Sequence, residues 1–221
     1  MDLPVRIFCE GISDQRFLRD FLKVHYNIDI SDNQINKNEF IINMGSWNKL
    51  NTQELKITED FFEYTSLIFL DADNEKVTDK AGFNETCAFV ENLMTDWNWV
   101  KYDLFVLPNH QENGNIEDLL ENIINTKHSQ IFECWNEFEN CLSKDSSLTI
   151  PAKKSKIYSY LECLHGVTNK EKDKCKDSHR DFKDENLWDI RNLENPYIIK
   201  LKTFLDQYLK QYVTKNIIRQ N

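Results

Sequence analysis

The sequence predicts an α/β fold: a doubly wound, mainly parallel four-stranded sheet with a helical C-terminal extension. Three observations predict it. Short, nearly continuous apolar runs alternate with stretches of helical periodicity through the first 110 residues, the pattern of strands buried on both faces of a parallel sheet. Right-handed crossovers between such strands put helices on both sides of the sheet. The second half reads instead as consecutive helices and loops. The chain therefore divides into an α/β core over 1–125 and a helical extension over 126–221 packed on it.

The elements follow in order. Residues 4–10 form an apolar run rich in β-formers at Val5, Ile7 and Phe8. Residues 13–26 place Phe17, Leu18, Phe21, Leu22 and His25 on one helical stripe. Residues 39–44 read as a second strand, broken by Gly45, and 48–64 as a weaker helix. Residues 66–70 are a third strand ending at Asp71. Residues 83–97 are helical, with Cys87, Val90, Leu93, Met94 and Trp97 on one face. Residues 103–107 form a fourth strand closed by Pro108. Beyond it, 116–142 is a long helical region interrupted near Asn125, 144–152 a loop, and 153–164 a helix. Residues 166–184 are polar and Lys-rich and read as a flexible loop. A closing helix over 196–218 starts with Pro196, which suits a first helical turn.

Composition narrows the classes of function. Lys and Arg number 27 against 37 Asp and Glu, a net charge of −10, which argues against a generic basic nucleic-acid binder. The excess is uneven: residues 1–110 carry 10 basic and 19 acidic side chains, and residues 111–221 carry 17 and 18. Residues 151–183 carry 9 basic and 5 acidic. No apolar run approaches the ~20 residues that span a bilayer, and the N-terminus lacks the pattern of a signal peptide. A cytoplasmic protein without a membrane partner is expected, with reduced thiols. Cys163-x-His165 and Cys175-x3-His179 supply zinc-ligand types, but their spacing matches no common zinc module.

The chemistry concentrates at the ends of the predicted strands. All strand C-termini of a parallel sheet lie on one edge, where ligands of such folds bind. Strand one runs into Glu10-Gly11-Ile12-Ser13-Asp14, and strand three into Asp71-Ala72-Asp73-Asn74-Glu75. Strand four leads through a loop to Gly114-Asn115-Ile116-Glu117-Asp118. Clustered carboxylates repel and raise one another's pKa. A hard divalent cation relieves that repulsion, and oxygen-only ligands suit Mg²⁺ or Mn²⁺.

Residues 5–18, Val-Arg-Ile-Phe-Cys-Glu-Gly-Ile-Ser-Asp-Gln-Arg-Phe-Leu, resemble the glutamate motif of Toprim domains. Leu67-Ile68-Phe69-Leu70-Asp71-Ala72-Asp73 resembles their D-x-D motif. The Glu-Gly-x-Ser-Asp form is particularly similar to the Toprim domains of overcoming-lysogenization-defect nucleases and to small stand-alone Toprim-like proteins. The similarity covers roughly residues 3–120. It implies a Toprim/Rossmann-like sheet and metal-dependent phosphodiester chemistry on DNA or RNA. Carried over by position, Glu10 is metal ligand or general acid/base, Asp14 a further ligand, and Asp71 and Asp73 the ligands of one or two Mg²⁺ ions. Glu117 is a further candidate ligand. A catalytic lysine for the developing phosphate charge falls on Lys156, with Lys153 and Lys154 as alternatives. Glu75 stands where longer D-x-D-x-D patterns have aspartate. Related nucleases join the Toprim domain to an ATPase. This chain has no P-loop, so the resemblance implies an ATPase partner encoded separately and a place in phage defence.

Each motif also has a plainer reading. Glu10-Gly11 with Ser13-Asp14 is equally the joint between a strand and a capped helix. Asp71 and Asp73 are favoured turn residues. Glu117 and Asp118 stabilise a helix N-terminus by ~0.3–1 kcal/mol without any chemistry. Two other functional classes stay open: a catalytically inactive binding or assembly module, and a metal-dependent phosphatase or nucleotidyl transferase on small nucleotides. Oligomeric state is not legible.

Overall fold

The computed structural model describes residues 5–46, 49–50, 64–73, 81–96 and 101–220, with side chains through 210. The expected helix over 48–64 lies almost entirely outside the described residues, as do Glu75 and Trp97.

Four parallel strands form the sheet: β1 (Val5–Cys9), β2 (Ile41–Asn43), β3 (Thr65–Asp71) and β4 (Tyr102–Leu107), in the order β2-β1-β3-β4. Their side chains alternate between two apolar layers, as the pleat requires. Ile7, Cys9, Leu67, Phe69 and Phe105 face one layer, and Phe8, Ile68 and Leu70 the other. Helix α1 (Ile12–Tyr26) covers the first face through Phe17, Leu18, Phe21 and Leu22. A short helix, α2 (Asp32–Asn36), leads back to β2. Helix α3 (Phe83–Asp96) covers the second face with Val90, Leu93 and Met94. This is the doubly wound α/β fold.

The chain then adds α4 (Ile116–Asn122), α5 (Ser129–Leu142), α6 (Lys153–His165), α7 (Asn169–Asp173) and α8 (Pro196–Gln220). The break expected near Asn125 is there. Asn125 donates its backbone N–H to Leu187 O (2.9 Å), and its side chain caps the 3₁₀ turn Thr126–His128 that precedes α5. Helix α8 lays Leu201, Phe204, Leu205 and Leu209 on the same layer as α1. Phe204 meets Phe69 edge-on at 5.8 Å and lies 5.3 Å from Phe105. One apolar cluster runs from Val5 to Leu209, so core and extension share it.

The flexible loop expected over 166–184 is not what forms. The stretch folds into α7 and the 3₁₀ turn Asp177–His179, anchored by buried Cys175 and Phe182. Leu187, Trp188 and Ile190 then run into the main core. Phe182 packs edge-on against Phe17 at 5.5 Å and lies 5.2 Å from Trp188. Apolar anchors among the lysines outweigh the polar average, because burial of a few large side chains fixes a segment whatever its exposed residues are.

Candidate functional site

The strand order sets the place. Chain connectivity moves from β1 to β2 on one side and to β3 on the other, so a crevice opens where β1 and β3 end. Cys9 pairs with Phe69 across these strands. Glu10 therefore leaves β1 beside the end of β3, and its Oε2 accepts the Asp71 backbone N–H at 3.4 Å. Asp71 closes β3, and its Oδ1 accepts the N–H of Ile116, the first residue of α4, at 3.0 Å.

Asp14 sits in the first turn of α1. Its Oδ2 accepts the Gly11 N–H at 2.7 Å, one half of a capping box. Asn115 and Asp118 make the full box at the start of α4: Asp118 Oδ2 accepts the Asn115 N–H (2.9 Å) and Asn115 Oδ1 accepts the Asp118 N–H (3.3 Å). Gly114 precedes this box at φ +143°, where a Cβ would lie 2.4 Å from Asp118 Oδ2. That capping role accounts for Asp118 and leaves Glu117, one residue earlier, to face the crevice. Asp73 lies beyond β3 in the left-handed region (φ 59°) and donates its N–H to Gly114 O at 2.8 Å. This bond ties the loop after β3 to the one before α4.

Glu10, Asp14, Asp71 and Glu117 thus converge, and the electrostatics of Asp14, Asp71 and Glu117 record it. Burial, then the charges of Glu10, Glu117 and Asp177, push Asp14 up to about 7, against the Gly11 hydrogen bond that favours its ionised form. Asp71 keeps some solvent exposure but is enclosed deeply enough that desolvation leads. With Asp14, Glu10, Glu117 and Asp73 around it, its pKa stands well above the carboxylate range. Glu117 is raised by burial and by Asp177, while its own N–H, Lys154 and Arg180 pull it down. Cys9, buried beneath the cluster, is raised by the same burial and by Asp14, Glu10 and Asp71. The strongest charges acting on Asp14 and Asp71 are all anionic.

Among the described residues no three His, Cys, Asp or Glu side chains are arranged to hold a metal ion as they stand. Asp14 and Asp71 each turn one oxygen to a backbone N–H. The donor set nonetheless fits a hard cation in chemistry: it is all oxygen, and Asp14, Asp71 and Glu117 carry raised pKa values that a cation would relieve. The two Cys-His pairs form no such group, and buried Cys175 is separated in exposure from exposed Cys163.

The lysines distribute differently from the sequence expectation. Lys156 is buried against the Phe132 ring, 5.0 Å from its centroid, with its ammonium on Glu121 and, at 2.9 Å, on Asn136. It makes no bond to the four carboxylates. Lys153 pairs with Asp118. Lys154, about half exposed, pairs with Asp177 and is the lysine whose charge acts on Glu117.

Two residues at the crevice escaped the sequence reading, Asp177 and Arg180, and Ser13, read there only as part of the motif and a helix cap, is the contact of Arg180 on α1. The Arg180 side chain is fully buried. Its Nη1 donates to Ser13 Oγ at 3.2 Å, and its Nε to Cys175 O at 3.3 Å. Its Nη2 stands 2.8 Å from Asp177 Oδ1, an ion pair without hydrogen-bond alignment. The guanidinium lies over the Tyr158 ring, 5.0 Å from its centroid. The available signal was the interleaving of Cys175, Phe182, Leu187 and Trp188 with the charges.

No helix among the described residues is long and apolar enough to cross a membrane. No curated protein and no solved structure matches the chain. One family model does, over residues 4–209, which takes in the strands, the crevice and the buried Arg180, and the chain belongs to that family of proteins of unknown function, DUF3226.

Proposed function

We propose that this protein is a Toprim-like, Mg²⁺- or Mn²⁺-dependent nuclease that cleaves phosphodiester bonds of DNA or RNA. The observation that carries the reading is the convergence of Glu10, Asp14, Asp71 and Glu117 at the switch point between β1 and β3, with the pKa values of Asp14, Asp71 and Glu117 raised. Asp14, Asp71, Asp73 and Glu117 would hold the cation, with Glu10. A cation held there supplies Lewis-acid stabilisation of charge developing on a phosphodiester. Glu10 keeps more exposure than Asp14 and is the carboxylate assigned to moving a proton. Lys154 rather than Lys156 is assigned to the phosphate charge, because Lys156 is committed to Glu121 and Asn136. The reading places the protein in the cytoplasm, consistent with six unpaired cysteines, and gives it an ATPase partner on a separate chain.

Calorimetric titration of Mg²⁺ and Mn²⁺ into wild type and Asp71→Asn tests the site. Asn preserves an acceptor for the Ile116 N–H and removes the charge. Binding to wild type that disappears in the variant, followed by cleavage of plasmid, single-stranded DNA or RNA, is the expected result. Absence of binding up to about 10 mM, beyond the weak end for oxygen-ligand sites, would leave the crevice as an interaction module and overturn the mechanism. Cleavage confined to mononucleotides would replace the nuclease with a small-nucleotide enzyme.

A further inference from the structure

The lobe from 166 to 183 separates its charges. Its four acids are spent inside the protein. Glu171 Oε2 accepts the Thr168 N–H at 3.0 Å and caps α7. Asp173 holds Lys176 (2.6 Å) and His179 (2.9 Å). Asp177 holds Lys154 and Arg180, and Asp181 holds Lys183 at 2.9 Å. Lys170, Lys172 and Lys174 are exposed, and among the described residues their ammonium groups have no hydrogen bond or ion pair. Side chains of a single charge sign thus remain for a partner, on a chain whose net charge is −10.

The lobe is also fixed in position. Cys175 and Phe182 anchor it by burial. Arg180 ties it to Ser13, the neighbour of Asp14, at the mouth of the crevice. Between the lobe and α6 lies a cleft of about 480 Å³, bordered by Lys172 and Lys176, by the carboxylates of Glu162 and Asp173, and by Tyr158 and Asn169; Asp173 is the acid already paired with Lys176 and His179. Lys172 lines this cleft, while Lys170 and Lys174, two residues to either side, do not; unpaired lysines on a lobe tethered to the carboxylate crevice match a polyanion whose backbone passes the crevice. Binding of this kind draws on release of condensed counterions, which a local cationic strip can supply even where the whole molecule is acidic.

We propose that the 166–183 lobe is the docking surface for a nucleic-acid phosphodiester backbone, with Lys170, Lys172 and Lys174 contacting phosphates and Arg180 tethering the strip to the crevice. The inference rests on the nuclease reading for its substrate class but not for its test, which needs neither metal nor cleavage.

Fluorescence anisotropy with fluorescein-labelled single-stranded DNA, duplex DNA and RNA, in chelator across a salt series, provides the test. The full-length wild type is compared with Lys170→Ala/Lys172→Ala/Lys174→Ala. A control triple, Lys37→Ala/Lys127→Ala/Lys144→Ala, removes equal charge from exposed positions elsewhere. All six positions are exposed, so both variants should fold, as circular dichroism will verify. The lobe variant is expected to bind at least about 10-fold more weakly at low salt. Its log–log salt slope should be shallower by about 2.7 on duplex DNA and by about 2 on single strands, with the control near wild type. A wild type that binds none of the three polymers overturns the proposal, and so does a lobe variant indistinguishable from the control. So does dependence on these lysines for phosphatidylglycerol vesicles but not for nucleic acid. Wild-type binding of the expected kind without cleavage in Mg²⁺ or Mn²⁺ sustains the docking surface and removes the nuclease. Cleavage with an unaffected lobe variant does the reverse.

Discussion

Asp14 receives the Gly11 N–H, which favours its carboxylate, yet burial and the nearby acids outweigh that bond and push it up to about 7 from an ordinary 3.8. The folded state therefore holds a proton that the unfolded chain has released between about pH 4 and pH 7. The native state binds more protons in that window, so the Asp14 contribution to stability falls as pH rises through it. Asp14→Asn keeps an acceptor for Gly11 and cannot ionise. In chelator, urea denaturation at a series of pH values should show the variant gaining on wild type from pH 4 to pH 8, by up to about 4 kcal/mol. A pH-independent difference would mean that Asp14 stays ionised throughout.

At the scale of elements, the lobe and α8 make different demands. Arg180 joins the lobe to α1 by a hydrogen bond to Ser13 and holds the lobe itself by a buried ion pair with Asp177. Breaking a buried pair by removing one partner leaves the other uncompensated and costs roughly 3–5 kcal/mol. Arg180→Met should fall at the low end of that range, since Lys154 still faces Asp177. Denaturant titration measures the loss, and limited proteolysis should cut first within 166–183. Helix α8 is held by packing. Phe204→Ala removes a ring set between Phe69 and Phe105 and should cost about 3–5 kcal/mol, with unchanged Mg²⁺ affinity because the crevice lies elsewhere. At the sheet edge, the Leu104 N–H goes to Asp103 Oδ1 (2.8 Å) and the Val106 N–H to His110 Nδ1 (3.1 Å). Side chains thereby occupy strand amides that an open edge would offer to another chain. Accepting at Nδ1 requires a ring protonated only at Nε2, and burial, which lowers the His110 pKa, favours that neutral form.

For the whole molecule, the carboxylate crevice is a store of repulsion within a single core. A cation that binds only the folded state stabilises it by RT ln(1 + [L]/Kd), about 2.7 kcal/mol at a hundredfold excess over Kd. Mg²⁺ should therefore raise the Tm of wild type and leave that of Asp71→Asn unmoved, a comparison that differential scanning calorimetry makes directly. The gain should be larger near pH 8 than near pH 5, because protons compete for Asp14 and Asp71 at the lower pH.

The strands, α1, α3, the break near Asn125 and α8 were legible from apolar periodicity, because burying an apolar face is a local demand that each segment states for itself. The carboxylates were legible as strand-end residues for the same reason: in a parallel sheet, position along a strand fixes the edge it reaches. Three matters needed the tertiary structure. Strand order put Glu10 and Asp71 on neighbouring strands at a switch point, since connectivity rather than composition decides which strands pair. The direction each lysine takes came from helix rotation, which sent Lys156 to Glu121 and Lys154 to Asp177. The fate of 166–183 was decided by partners more than 160 residues away, as Arg180 on Ser13 and the Phe182 N–H on Asp20 illustrate. A polar average over a window reports what a segment shows to water, and a few distant contacts decide whether it is held.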